Sequence, residues 1–135
     1  MKFNNLGGGW VVMALVVVVG CSPARIRKEI VIDQVIKEAG KRCQQVVRNN
    51  PNVFERIDVV RQGDDTVLLE YVLKPQAEVQ VDQIHQEYMD TLENDASARK
   101  DFQRIADEGI QVRLIYKSQS GQTLDDFLLN PDTLK

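Results

Sequence analysis

The stretch TVLLEYVLK, residues 66–74, decides the architecture. Side chains alternate across a strand, so Val67, Leu69, Tyr71 and Leu73 share one face while Leu68 and Val72 flank Glu70 on the other. A strand that is apolar on one face only can turn its back to water. One whose second face is also largely apolar belongs in the centre of a sheet or has that face partly covered.

Neighbours for this strand are present on both sides in sequence. Val53 to Arg61 is rich in β-branched residues and is separated from it by Gln62-Gly63-Asp64-Asp65, a run of turn formers, which predicts an antiparallel hairpin. Downstream, Pro75 ends the strand and a helical pattern runs from Val81 to Glu108, with Gly109 as its stop. Its apolar stripe is Val81, Ile84, Tyr88, Leu92, Phe102, Ile105 and Ala106. Asn94-Asp95-Ala96-Ser97 interrupts that stripe and offers two N-caps, so a kink or a break into two helices is expected there.

Ile110, Val112, Leu114 and Tyr116 alternate with Gln111, Arg113, Ile115 and Lys117, the cleanest strand pattern in the chain. Ser118 to Gln122 is a turn, and Thr123 to Leu129 fits either a short edge strand or a final helical turn. Before the hairpin, Lys28 to Arg48 is helical: Ile32, Ile36, Ala39, Cys43 and Val46/Val47 form one stripe, and Asn49-Asn50-Pro51 stops it. The order helix, strand, strand, helix, strand and a further strand predicts an α+β domain. Helices pack on one face of a three- to four-stranded, mainly antiparallel sheet, with a mixed sheet as the other pairing compatible with the pattern.

Composition sets limits on function. With 43% apolar and 27% charged residues, the 135-residue chain is neither disordered throughout nor a multispan membrane protein, and one domain is expected. The formal charge is −3, and Lys2 is the only charged side chain among the first twenty residues, so the rest carries −4. Nucleic acid is not an expected partner, because phosphate binding needs a concentrated positive face.

The amino end is a different kind of sequence. Lys2 precedes Trp10 to Val19, an uncharged apolar run of ten residues. That matches a signal-peptide h-region and falls well short of the roughly 20 residues that a spanning helix needs. The run ends in Val18-Val19-Gly20-Cys21, which resembles the lipobox of bacterial lipoproteins.

That resemblance implies a diacylglyceryl thioether on Cys21, with further acylation such as palmitate, and signal-peptidase cleavage between Gly20 and Cys21. It implies extracytoplasmic anchoring in a bacterial cell membrane, the outer membrane where there is one, since Ser22 and not aspartate follows the cysteine. The expected divisions are a signal peptide at 1–20, the lipidated cysteine and a tether at 21–27, the domain at 28–129 and a tail at 130–135. Arg25, Arg27 and Lys28 would then lie near headgroups, where each basic residue adds about 1 kcal/mol of attraction. The strand, Gly turn, strand, helix order followed by GIQVRLIYKSQSGQTL is also similar to small bacterial lipoproteins of unassigned role.

No catalytic constellation is expected, and neither a cofactor nor a metal. The one histidine, His85, lacks the companions that a zinc or acid–base site requires. Asp64-Asp65 and Asp125-Asp126 read as turn residues. Tyr71, Tyr88 and Tyr116 lie on apolar faces and read as core, with a ligand groove as the alternative. Cys43, on an apolar stripe, reads as a buried lone thiol.

The expected function is therefore a lipid-anchored, non-enzymatic binding or envelope-assembly accessory module whose partners are the membrane, through Cys21, and an envelope protein. The helical face with Gln83, Gln86, Glu87 and Asp90 is a candidate contact surface. A small hydrolase or ligand-binding protein using a groove near the sheet is the alternative.

Overall fold

The computed structural model describes residues 24–129. The segment read as a signal peptide, Cys21 and the segment read as a tail lie outside the described residues. The elements are α1 (Ala24–Asn49), β1 (Phe54–Gln62), β2 (Thr66–Leu73), a 3-10 helix (Pro75–Gln80), α2 (Val81–Asn94), α3 (Ala96–Asp107), β3 (Gln111–Ser118) and β4 (Thr123–Leu129). The fold is α+β, as its sequence pattern implies.

The four strands lie in the order β1-β2-β3-β4. β2 is antiparallel to β1 and parallel to β3, and β3 is antiparallel to β4. The sheet is mixed, and with two of its three pairings antiparallel it is mainly antiparallel, as expected. The parallel pair follows from the connection: a chain leaving β2 must cross the sheet before re-entering alongside it, and α2 and α3 supply that crossover.

β2 is central, and both its faces are buried except at Glu70. Val67, Leu69, Tyr71 and Leu73 enter the core with residues of all three helices. Leu68 and Val72 point to the other face, where none of the described helices lies, yet they are only 8% and 3% exposed. Long side chains at neighbouring register positions lie beside them: Arg113 is level with Leu68 and Lys117 with Val72. Their aliphatic stems can shield apolar surface while the charged heads stay wet.

α1 begins at Ala24, so residues 24–27, assigned to a tether on the sequence pattern, form its first turn. A proline ahead of a helical pattern suits the start of a helix as well as a linker, so the sequence alone did not separate the two readings. Two ion pairs fix this end of α1 to the body. Glu29 accepts two hydrogen bonds from Arg61, at 2.6 and 2.8 Å, and the Arg27 Nε donates to Glu108 at 3.1 Å.

The break inside the long helical pattern falls at Asp95. Its carboxylate accepts from the backbone N–H of Ser97 (3.0 Å) and Ala98 (3.1 Å), capping α3 as α2 ends. Asp95→Ala should cost about 1 kcal/mol in urea unfolding, whereas Asp95→Asn, which keeps the acceptor, should cost far less. Gly109 closes α3 with φ +78°, a conformation that L side chains rarely adopt, while the N–H of Ile110 reaches back to the Ile105 carbonyl at 3.3 Å.

Candidate functional site

Gly20 and Cys21, for which the lipobox resemblance implies processing and lipidation, lie outside the described residues. The described domain begins three positions after Cys21. Its own candidates are His85, the aspartate pairs, the tyrosines and two surfaces.

α2 places His85 over the edge strand β4. The imidazole lies flat on Phe127, with ring centroids 3.5 Å apart and planes 6° from parallel, and its Nδ1 is 3.4 Å from the Tyr116 hydroxyl. Tyr116 also meets the imidazole edge-on. Burial lowers the His85 pKa, against the opposing pull of Asp125 and Asp82. Burial, together with the Asp125 charge, raises the Tyr116 pKa, so its hydroxyl keeps its proton near neutrality.

Such a pair is poorly placed for acid–base work. Phe127 covers one ring face, and the hydroxyl beside the imidazole does not ionise in the working range. The arrangement joins α2 to β4, and His85 is a packing residue with a polar tip.

The lowered pKa has a sign. The unfolded chain takes up this proton more readily, so His85 contributes stability that is present above about pH 6.5 and is lost as pH falls through the lower folded value. Thermal unfolding of the wild type should therefore weaken more between pH 7.5 and 5 than that of His85→Phe, which keeps a ring over Phe127. Parallel pH profiles for the two proteins would contradict this assignment.

The tyrosines are core residues. Tyr71 and Tyr116 are 0% exposed and Tyr88 is 3% exposed, and the first two stack at 4.8 Å. Cys43 is also fully buried, and burial pushes its pKa up to about 12. It should resist alkylation at pH 8 in the folded protein and react within minutes in guanidinium; rapid labelling of the folded form would refute its burial.

The aspartate pairs do not converge. Asp64 and Asp65 are exposed at the β1–β2 turn, as their sequence suggests. Asp125 and Asp126 sit instead within β4, on opposite faces. Asp125 is level with Tyr116 on the helix side, whereas Asp126 on the open side accepts from Arg113, which holds its pKa below the usual carboxylate range.

Two surfaces remain. On α2, Gln83, Gln86 and Asp90 are exposed and Glu87 is half-buried, with Gln86 donating to Asp90 at 2.9 Å. An open concavity of about 550 Å³ lies at the end of this helix, lined by Asp90, Thr91, Asn94, Asp95 and Ala96. The helix-free face of the sheet carries Val60 and Leu128, 45% and 57% exposed, on its two edge strands, with Leu68 and Arg113 between them in register. Among the described residues no three potential metal ligands cluster, and no helix is long and apolar enough to cross a membrane.

No family model matches the sequence, and no curated protein matches it. Among solved structures, the chain is similar to a pilotin from the Vibrio vulnificus type 2 secretion system, EpsS. The TM-score is 0.45 at 14% identity, covering 76% of this chain and 94% of that one. It is also similar to the type II secretion system pilotin AspS from Vibrio cholerae, with a TM-score of 0.44 at 21% identity over 82% of this chain and 99% of that one.

Proposed function

We propose that this chain is a bacterial lipoprotein, anchored on the extracytoplasmic side of a membrane through Cys21, whose domain acts as a non-enzymatic binding or envelope-assembly accessory module. The observation that carries the reading is Val18-Val19-Gly20-Cys21 at the end of a ten-residue apolar run, three residues before a folded domain starts. The site geometry supports the non-enzymatic part, since His85 is engaged in packing and the carboxylates are dispersed. The two exposed surfaces, on α2 and on the open sheet face, are where a partner would be met.

Metabolic labelling with a fatty-acid analogue tests the anchor: wild type should be labelled and Cys21→Ala should not, and equal labelling of both would overturn it. Co-purification from solubilised membranes, with the acylated protein as bait, tests the module. Envelope proteins should be retained, with type 2 secretion components probed directly because that is the system named for both similar structures. Recovery of the bait alone under mild crosslinking would count against a partner-binding role.

A further inference from the structure

Helix α1 starts three residues after Cys21, and a fully extended chain covers about 11 Å over that interval. Whatever holds Cys21 therefore holds the beginning of α1 within one or two Debye lengths of the same surface. No flexible linker of useful length separates anchor from domain.

The charge of the protein is distributed unevenly about this helix. α1 contains seven basic and three acidic residues, a net +4, while the other residues after Gly20 comprise nine basic and seventeen acidic, a net −8. Its core-facing side is Val31, Ile32, Val35, Ala39, Cys43 and Val46. The exposed ridge on the side away from the core, at steps of three and four, is Ile30, Gln34, Lys37, Lys41, Gln45 and Arg48.

Three acids flank that ridge, and of these Asp33 is exposed one turn before Lys37 and near enough to Arg61 to raise its pKa. Glu29 is turned aside to Arg61, and Glu38 stands beside Lys41 at 4.0 Å. Lys37 and Arg48 are exposed and form no ion pair among the described residues, and Ile30, near the anchored end, is 37% exposed. The Glu29–Arg61 and Arg27–Glu108 pairs oppose rolling of the helix about its axis, so the ridge keeps facing outward.

We propose that the solvent ridge of α1 lies along an anionic phospholipid surface, so that the lipid on Cys21 and the basic helix act as one membrane-docking unit. The inference rests on lipidation of Cys21. An acyl anchor followed by a basic stretch is a two-signal attachment, in which the first holds the second inside the surface potential. The domain then lies along the bilayer on α1, about 39 Å of helix, instead of standing on its amino end. The open face of the sheet, on the side away from the helices, is turned to the aqueous compartment, where a partner can reach it.

The test uses the full acylated protein in vesicles whose headgroups carry a nitroxide quencher. Single fluorophores are placed by Gln34→Cys, Gln45→Cys or Leu128→Cys. Native Cys43 is buried and Cys21 is blocked by its lipid, so the introduced thiol is the reactive one. In vesicles containing phosphatidylglycerol, probes at 34 and 45 should both be quenched at least threefold more than the probe at 128.

The difference between 45 and 128 should vanish in phosphatidylcholine vesicles, at 1 M salt, and in the Lys37→Glu/Lys41→Glu/Arg48→Glu protein. Quenching at 34 without quenching at 45 would show a domain standing on its anchor and would overturn the docked helix. So would equal quenching at 45 and 128, as expected if the ridge serves an acidic protein partner instead. Protein that fails to float with the vesicles at all would refute the lipidation of Cys21, and the docking with it.

Discussion

Tyr71→Ala is expected to lower the stability of the domain by about 3–5 kcal/mol, the range for deleting a fully buried aromatic side chain. Tyr71 sits at the middle of the central strand, 0% exposed, stacked on Tyr116 with centroids 4.8 Å apart and inclined to Phe54 at 5.9 Å. Its removal leaves a cavity bounded by strands on both sides, where the backbone is held by ladders to β1 and β3 and cannot collapse inward. Aromatic pairing adds about 0.5–1.5 kcal/mol beyond area burial, and two such pairs are lost together.

Domains of this size are stable by about 5–15 kcal/mol, so the variant should melt some 15 to 30 °C lower or fail to fold at 37 °C. Tyr71→Phe, which keeps the ring and both stacking partners, separates packing from the hydroxyl and should retain most of the stability. Urea unfolding of both variants decides the matter. A loss below about 1 kcal/mol for Tyr71→Ala would mean that the stack is not the centre of the core.

The same residue shows why much of the fold was legible. Alternation on both faces of 66–74 required a neighbour on each side, and the Gly63 turn and the Ile110–Tyr116 pattern supplied candidates. The break at Asp95 was likewise visible, because a side chain able to cap interrupted an apolar stripe. Strand direction was not visible. Periodicity is the same for parallel and antiparallel pairing, and the segment between β2 and β3 is long enough for either.

Two further features depend on contacts between distant positions. Thr123 to Leu129 contains two adjacent aspartates followed by three adjacent apolar residues, which obscures a period of two; the strand becomes clear only when Phe127 is seen against His85 and Asp126 against Arg113. Those partners are 42 and 13 residues away. The 3-10 helix at Pro75–Gln80 went unforeseen because one buried residue, Ala77, is too little to generate a pattern. In the candidate site, the aromatic stack of His85 on Phe127 was not readable.

Exchanging residues 1–21 for a cleavable leader without a lipobox should move the protein from the membrane fraction to the soluble extracytoplasmic fraction. Each buried methylene of an acyl chain contributes about 0.8 kcal/mol; one chain holds a protein marginally, and two or three hold it in effect permanently. The α1 ridge is a far weaker attachment on its own. Its basic residues add about 1 kcal/mol each near an anionic surface, an attraction that salt removes. The exchanged protein should therefore show a small bound fraction at low ionic strength and none at 1 M salt, while the acylated protein stays bound at both. Retention of the exchanged protein in membranes at 1 M salt would place the anchor elsewhere in the chain and withdraw the role given to Cys21. Release at every ionic strength would leave the lipid as the sole attachment and remove the contribution of α1.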